Sequence, residues 1–153
     1  NDKMKVNIAL TVIIILFLIG NKFYPKPLDI TWEELSLLDT SSATIPKEIQ
    51  DLTKTDIQIA GFMVPIELGE YLEYVSEFML VPNPLACIHV PPPPPNQMIF
   101  VKLKKPEKVR YMYQPIAVEG ILKNTPPIEN VYNSIYEMNV DTIEDIDFDD
   151  LNY

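Results

Sequence analysis

The sequence predicts a mainly β fold: a small, strongly curved barrel preceded by an N-terminal hydrophobic helix and short flanking helices. Two observations carry the prediction. From Asp56 onward, apolar residues alternate with polar ones in short runs separated by proline-containing connections, which is the period of strands. Two of these runs reach a glycine at the same stage, Ile59-Ala60-Gly61 and Val118-Glu119-Gly120, as strands do at the corners of a small barrel. The 153 residues amount to about one domain. They divide into a signal peptide or membrane anchor (1–22), a linker with short helices (23–55), the barrel (56–140) and an acidic tail (141–153).

The first element is Val6 to Gly20, about 15 mostly apolar residues behind Lys3 and Lys5, with Met4 a candidate start. Its length lies between a signal-peptide core and a full span of about 20 residues, so an uncleaved anchor and a cleaved signal both stay open. In either case the positive end stays in the cytoplasm. The rest of the chain is then extracytoplasmic, on the periplasmic side of the inner membrane, with residues 6–20 as its membrane contact. Pro25 and Pro27 mark an extended linker. Thr31-Trp32-Glu33-Glu34 opens a short helix through a reciprocal capping box, with Trp32, Leu35 and Leu38 on one face and Trp32 expected to pack on the barrel. A further helical turn is expected over Pro46 to Leu52, with Pro46 at its first position.

Strands follow at Ile57–Val64, 75–81, 98–103, Pro115–Leu122 and 132–140. The run from Tyr74 also satisfies helical spacing, but Pro82 and Pro84 directly after it favour a strand. Lys104-Lys105-Pro106-Glu107-Lys108 is expected to be a basic turn. The tail carries Asp141, Glu144, Asp145, Asp147, Asp149 and Asp150 in a spacing unlike a calcium loop, and is expected to be solvated or disordered.

Composition removes whole classes of function. There are 15 prolines against 4 glycines, so a glycine-cradled phosphate site has no material to be built from. The net charge is −10, and residues 21–153 hold 10 basic against 21 acidic side chains. A nucleic acid would be repelled over most of such a surface. The single cysteine makes no intramolecular disulfide.

The chemistry-bearing residues concentrate in the stretch from Ala86 to Gln97, which holds the only cysteine and the only histidine. In an extended chain residues i and i+2 point to the same side, so Cys87 and His89 present a thiolate and an imidazole together. This is half a site for zinc or copper(I). Further ligands would come from Glu67, Glu77, Met63, Met79, Met98, water or a second subunit. The competing reading makes both residues packing elements, since a lone cysteine among Ala86, Ile88 and Val90 behaves as a small hydrophobe. A nucleophilic pair is disfavoured because no third group orients either side chain, and no catalytic residue is picked out. Pro91, Pro92, Pro93, Pro94 and Pro95 adopt polyproline II and span roughly 15 Å as a rigid strut. The strut either covers an open edge of the barrel, locked at its exit by Asn96 and Gln97, or stands out as a ligand for an aromatic groove.

Gly61-Phe62-Met63-Val64-Pro65-Ile66-Glu67, Glu77-Phe78-Met79-Leu80-Val81-Pro82, the Cys-x-His-x-Pro block and Val118-Glu119-Gly120-Ile121-Leu122 together resemble the bacterial DUF3299 family over roughly residues 30 to 140. Two places depart from its pattern. Lys54-Thr55 stands where a glycine turn is usual, and Asn83-Pro84-Leu85 replaces an aromatic-glycine step before Cys87. The resemblance implies a small exported or membrane-tethered protein on an OB-like barrel, associated with ABC-type transporter components that include zinc-supply systems. The expected function is that of an extracytoplasmic accessory or binding module of such a system. The alternative is a structural or protein-interaction module in which the Cys-His-polyproline block is only a packing element.

Overall fold

The computed structural model describes residues 5, 25–39, 41, 44–66, 73–85, 93–125 and 133–151. The hydrophobic segment over 6–20 lies outside them, and no helix among the described residues is long and apolar enough to cross a membrane. The elements are β1 (Leu28–Asp29), α1 (Trp32–Ser36), α2 (Lys47–Leu52), β2 (Asp56–Pro65), β3 (Tyr74–Val81), β4 (Ile99–Lys108), β5 (Pro115–Asn124), β6 (Tyr136–Val140) and β7 (Ile143–Asp145). Single 3₁₀ turns occur at Pro95–Gln97 and Phe148–Asp150.

Five strands close into a barrel in the order β2-β3-β4-β6-β5 and back to β2. Every pair in the ring is antiparallel except β4 with β6. The alternation read from the sequence is the inside-outside alternation of this wall. Ile57, Ile59, Phe78, Leu80, Ile99, Val101, Ile116, Val118, Leu122, Tyr136 and Met138 fill one core. The intervening positions Phe62, Met79, Val81, Met98 and Phe100 form a second apolar cluster on the outer wall of β2, β3 and β4.

Both glycines mark corners. On one side of β2, β1 pairs as far as Gln58 and β3 takes over at Phe62. On one side of β5, β7 ends at Val118 and β6 begins at Leu122. Gly61 and Gly120 sit in these gaps, where a neighbouring backbone comes close. A methyl group on Gly61 would lie 2.8 Å from the Val81 carbonyl oxygen, and one on Gly120 would lie 2.6 Å from that of Asn139.

α1 forms as its sequence dictates. The Glu34 amide donates to Thr31 Oγ1 at 3.3 Å and the Thr31 amide donates to Glu34 Oε2 at 2.7 Å, the reciprocal box. Trp32, Leu35 and Leu38 are buried together. In α2, which buries Ile49 and Leu52, Pro46 is the cap residue and the first helical position is Lys47, because Pro46 keeps an extended ψ of 148°.

Three further expectations are corrected. The basic stretch Lys104–Lys108 is no turn but the second half of β4. Glu77 pairs with Lys102 and Val75 with Glu107, so a bulge absorbs the surplus β4 residues, and Pro106 sits where no ladder bond is required of it. The turn falls later, where the Gln114 amide donates to the Tyr111 carbonyl at 2.7 Å. The last barrel strand starts at Tyr136, because Asn133 takes a left-handed φ of 61° that ends extended structure. Tyr132 lies outside the described residues. The acidic segment is folded as far as Leu151: Ile143–Asp145 pairs with β5, and Arg110 donates to Asp145 Oδ1 at 2.6 Å. The acidic side chains face outward while the buried Ile143 holds the strand down.

Candidate functional site

The block that concentrates the chemistry connects β3 to β4. Cys87, His89, Glu67, Pro91 and Pro92 lie outside the described residues; Pro93, Pro94, Pro95, Asn96 and Gln97 lie within them. Pro94 has φ −61° and ψ 155°, the polyproline conformation, whereas Pro95 already opens a 3₁₀ turn. The extended strut therefore ends at Pro94. The fifth proline's locked φ suits the first position of a tight turn equally well.

This turn is held against α1. Asn96 Nδ2 donates to the Leu38 carbonyl at 3.0 Å and to that of Ser36 at 3.3 Å. Gln97 Nε2 donates to the Trp32 carbonyl at 2.9 Å. These carbonyls stand on and just beyond a helix of only five residues, whose end needs donors from elsewhere. The Ile135 amide donates to the Pro95 carbonyl at 3.3 Å from the opposite side. At the other end of the connection, Asn83 Oδ1 accepts from the Leu85 amide at 2.9 Å, a local turn that aims the chain leaving β3.

Behind the turn lies a buried polar network. The Tyr136 hydroxyl donates to the Leu35 carbonyl at 2.8 Å. Burial pushes its phenol well above the ordinary value of 10.0. Ser134 Oγ lies 2.7 Å from the Met98 carbonyl and 2.8 Å from that of Tyr136, and accepts from the Tyr136 amide at 3.2 Å. With no exposed surface and its hydroxyl both donating and accepting within the barrel, Ser134 is a structural node with no access to a substrate. Trp32, 5% exposed, donates its Nε1–H to the Ala60 carbonyl at 2.7 Å. The Ile30 amide serves Gln58 in the same way at 3.0 Å. The indole thus supplies the ladder bond that β2 lacks between β1 and β3.

The structure separates the helper ligands. Met63 faces the core at 2% exposure, with its Sδ 3.5 Å from the Arg110 amide. Met79 and Met98 share the outer-wall cluster. Glu77, exposed on β3, points to the same side of that strand as Met79. Among the described residues no three carboxylate, histidine or cysteine side chains converge as a metal site. Reading the sequence missed Ser134 and Tyr136, for which no local signal exists, and gave Trp32 only a packing role.

A solved structure of a DUF3299 family protein from Pseudomonas aeruginosa PAO1 is similar to this chain, with 26% sequence identity and a TM-score of 0.56, covering 81% of this chain and 99% of its own. No curated protein matches the chain. The family model described as "Protein of unknown function (DUF3299)" matches residues 33–145, which spans the barrel from α1 to β7. The chain belongs to the DUF3299 family.

Proposed function

We propose that the protein is a binding module on an OB-like barrel, tethered on the extracytoplasmic side of the membrane as an accessory of a transport system, with Cys87 and His89 as its metal-sensitive pair. The ring order and its single parallel pair support the OB-like assignment. One observation carries the functional reading. The connection between β3 and β4 is fixed at both described ends, by the Asn83 turn and by Asn96 and Gln97 on α1. A loop whose ends are set by a rigid scaffold is the usual carrier of a binding residue. A soft ion taken there would draw its first ligands from Cys87 and His89. Met63, Met79, Met98 and Glu77 are the described helper candidates, and zinc and copper(I) are the ions suited to that donor set.

The second reading makes the block a packing element, and the hydrogen bonds of Asn96 and Gln97 to the α1 segment favour it for the Pro93–Gln97 half. A zinc and copper(I) titration of the detergent-solubilised full chain separates the two, with bound metal quantified alongside Cys87→Ala and His89→Ala. Stoichiometric binding lost in both variants supports metal handling. No binding, with both variants merely less heat-stable, assigns the block to packing and ends the metal reading.

A further inference from the structure

Beyond β7 the chain stops pairing and crosses the outside of the barrel. Ile146 is still bonded to it: its amide donates to the Pro115 carbonyl at 3.2 Å and its carbonyl accepts from Gln114 Nε2 at 3.1 Å. From Asp147 to Leu151 the backbone hydrogen bonds stay within the segment, from Asp150 to Asp147 at 3.0 Å and from Leu151 to Phe148 at 3.3 Å. Among the described residues, no hydrogen bond or ion pair ties these residues to the wall beneath. Two apolar side chains hold the segment instead. Side chains three apart in a 3₁₀ turn fall on one side. Here they are Phe148, whose ring centroid lies 6.1 Å from that of Phe62, and Leu151, which packs on the outer-wall cluster. The grip is partial, since Phe148 is 60% exposed.

The charges act against that grip. Asp147, Asp149 and Asp150 are exposed, no described cation pairs with them, and Asp147 makes no side-chain cap to the turn it precedes. Asp149 and Asp150 line a depression of about 330 Å³ together with Lys26, Asp29 and Glu144, over a floor that includes Ala60 and Ala117. Lys26 is the one cation among these lining residues, and its ammonium lies 3.1 Å from Asp29. Four carboxylates therefore share a single ammonium beside the segment, in a chain whose net charge of −10 has the same sign.

We infer that Asp147–Leu151 is a salt-responsive strap: at low ionic strength the carboxylates push Phe148 and Leu151 off the outer wall, and salt lets the two anchors close on it. Repulsion between exposed charges acts over a screening length of about 30 Å at about 0.01 M salt and of only about 3 Å at about 1 M. The apolar contacts of the anchors are not weakened by screening. Opening breaks no hydrogen bond to the barrel, so the balance lies between two side chains and the charges around them, the setting in which a segment opens locally without unfolding the rest. The motion stops at Ile146, which is bonded through both its amide and its carbonyl. An open strap takes Phe148 from Phe62 and Leu151 from the cluster, and so releases that end of the apolar wall.

Fluorine NMR of the full chain in an uncharged detergent tests this, with para-fluorophenylalanine in place of Phe148 and Leu151→Ser as the reference for a released strap. The open fraction is expected to fall about fivefold or more between about 0.01 M and about 1 M potassium chloride. Asp147→Asn/Asp149→Asn/Asp150→Asn is expected to be closed at both concentrations and to lose most of the salt response. Lys26→Gln, which removes the one cation of the depression, is expected to raise the open fraction at low salt and leave it unchanged at high salt. The three aspartates and Lys26 are exposed, and the salt series on the unsubstituted acidic segment needs none of these changes. A fluorine signal that does not move with salt, a neutralised variant that responds as the wild type does, or a Leu151→Ser signal equal to that of the closed strap overturns the proposal.

Discussion

Trp32→Phe is the sharpest test of how the barrel is closed. The Ala60 carbonyl lies in a gap of β2 between the reach of β1 and that of β3, and its partner is the indole N–H at 2.7 Å. Phenylalanine keeps an aromatic ring but has no donor. A buried carbonyl left without a partner costs about 1–3 kcal/mol, and the smaller ring leaves a void beside Gly61 that adds about 1 kcal/mol. For a chain of this size each kcal/mol moves Tm by about 2–4 °C, so the expected fall is about 4–16 °C. Thermal unfolding of the full chain followed by far-UV circular dichroism measures it. Trp32→Leu, which also lacks the donor, should fall at least as far. If Trp32→Phe melts within about 2 °C of wild type while Trp32→Leu does not, the ring alone matters and the indole is no substitute for a missing strand.

Gly120→Ala places a methyl group 2.6 Å from the Asn139 carbonyl oxygen, where backbone and not a flexible side chain must yield, and should cost about 1–3 kcal/mol in urea unfolding. Ile121→Ala on the exposed face next to it should stay within about 0.5 kcal/mol, and equal losses would remove the corner argument. Tyr136→Phe removes the hydroxyl donor from the Leu35 carbonyl, leaving it the longer bond from the Leu38 amide at 3.4 Å, and should lose about 0.5–1.5 kcal/mol at neutral pH. Because the folded phenol titrates above its unfolded value of 10.0, the wild type keeps its full stability below about pH 10 and loses about 1.4 kcal/mol per pH unit above it. That loss should be smaller in Tyr136→Phe when urea midpoints are compared between pH 8 and 11.

Local chemistry was readable from the sequence and long-range partnership was not. The Thr31 and Glu34 cap uses residues three apart, and the glycines announce themselves at the end of an alternating run, so both follow from neighbours in the chain. Asn96 and Gln97 were legible for a similar reason: two amide side chains directly after a proline run have little to do except anchor its exit. Pro106 misled because a proline ends a strand unless a bulge excuses it, and the bulge is set by the register with β3. The roles of Trp32 and Tyr136 depend on acceptors 28 and 101 residues away, which no pattern of spacing encodes. The acidic tail was misjudged because charge is counted before burial. Ile143, Phe148 and Leu151 contact the barrel while the aspartates around them stay in water. Cys87 and His89 were legible as chemistry, and any further ligand beside them would come from residues that a string does not bring together.

Barrel closure and the anchoring of the proline run's exit pass through the same residue. Trp32 donates its indole N–H to Ala60 on β2 and accepts from Gln97 with its own carbonyl at 2.9 Å. The carbonyl is backbone and survives any substitution, so Trp32→Phe breaks the first bond while leaving the second available. Gln97→Ala does the reverse, removing the donor to α1 and leaving β2 intact. A block that serves only packing returns the cost of either change as lost stability and nothing more. If the block presents Cys87 and His89 to a ligand, Gln97→Ala should loosen the exit of that loop and weaken metal binding more than Trp32→Phe at equal cost in stability, since the loop's position and not the barrel's cohesion then sets the affinity. Equal weakening by the two, in proportion to stability, would mean that the block responds only to the global fold.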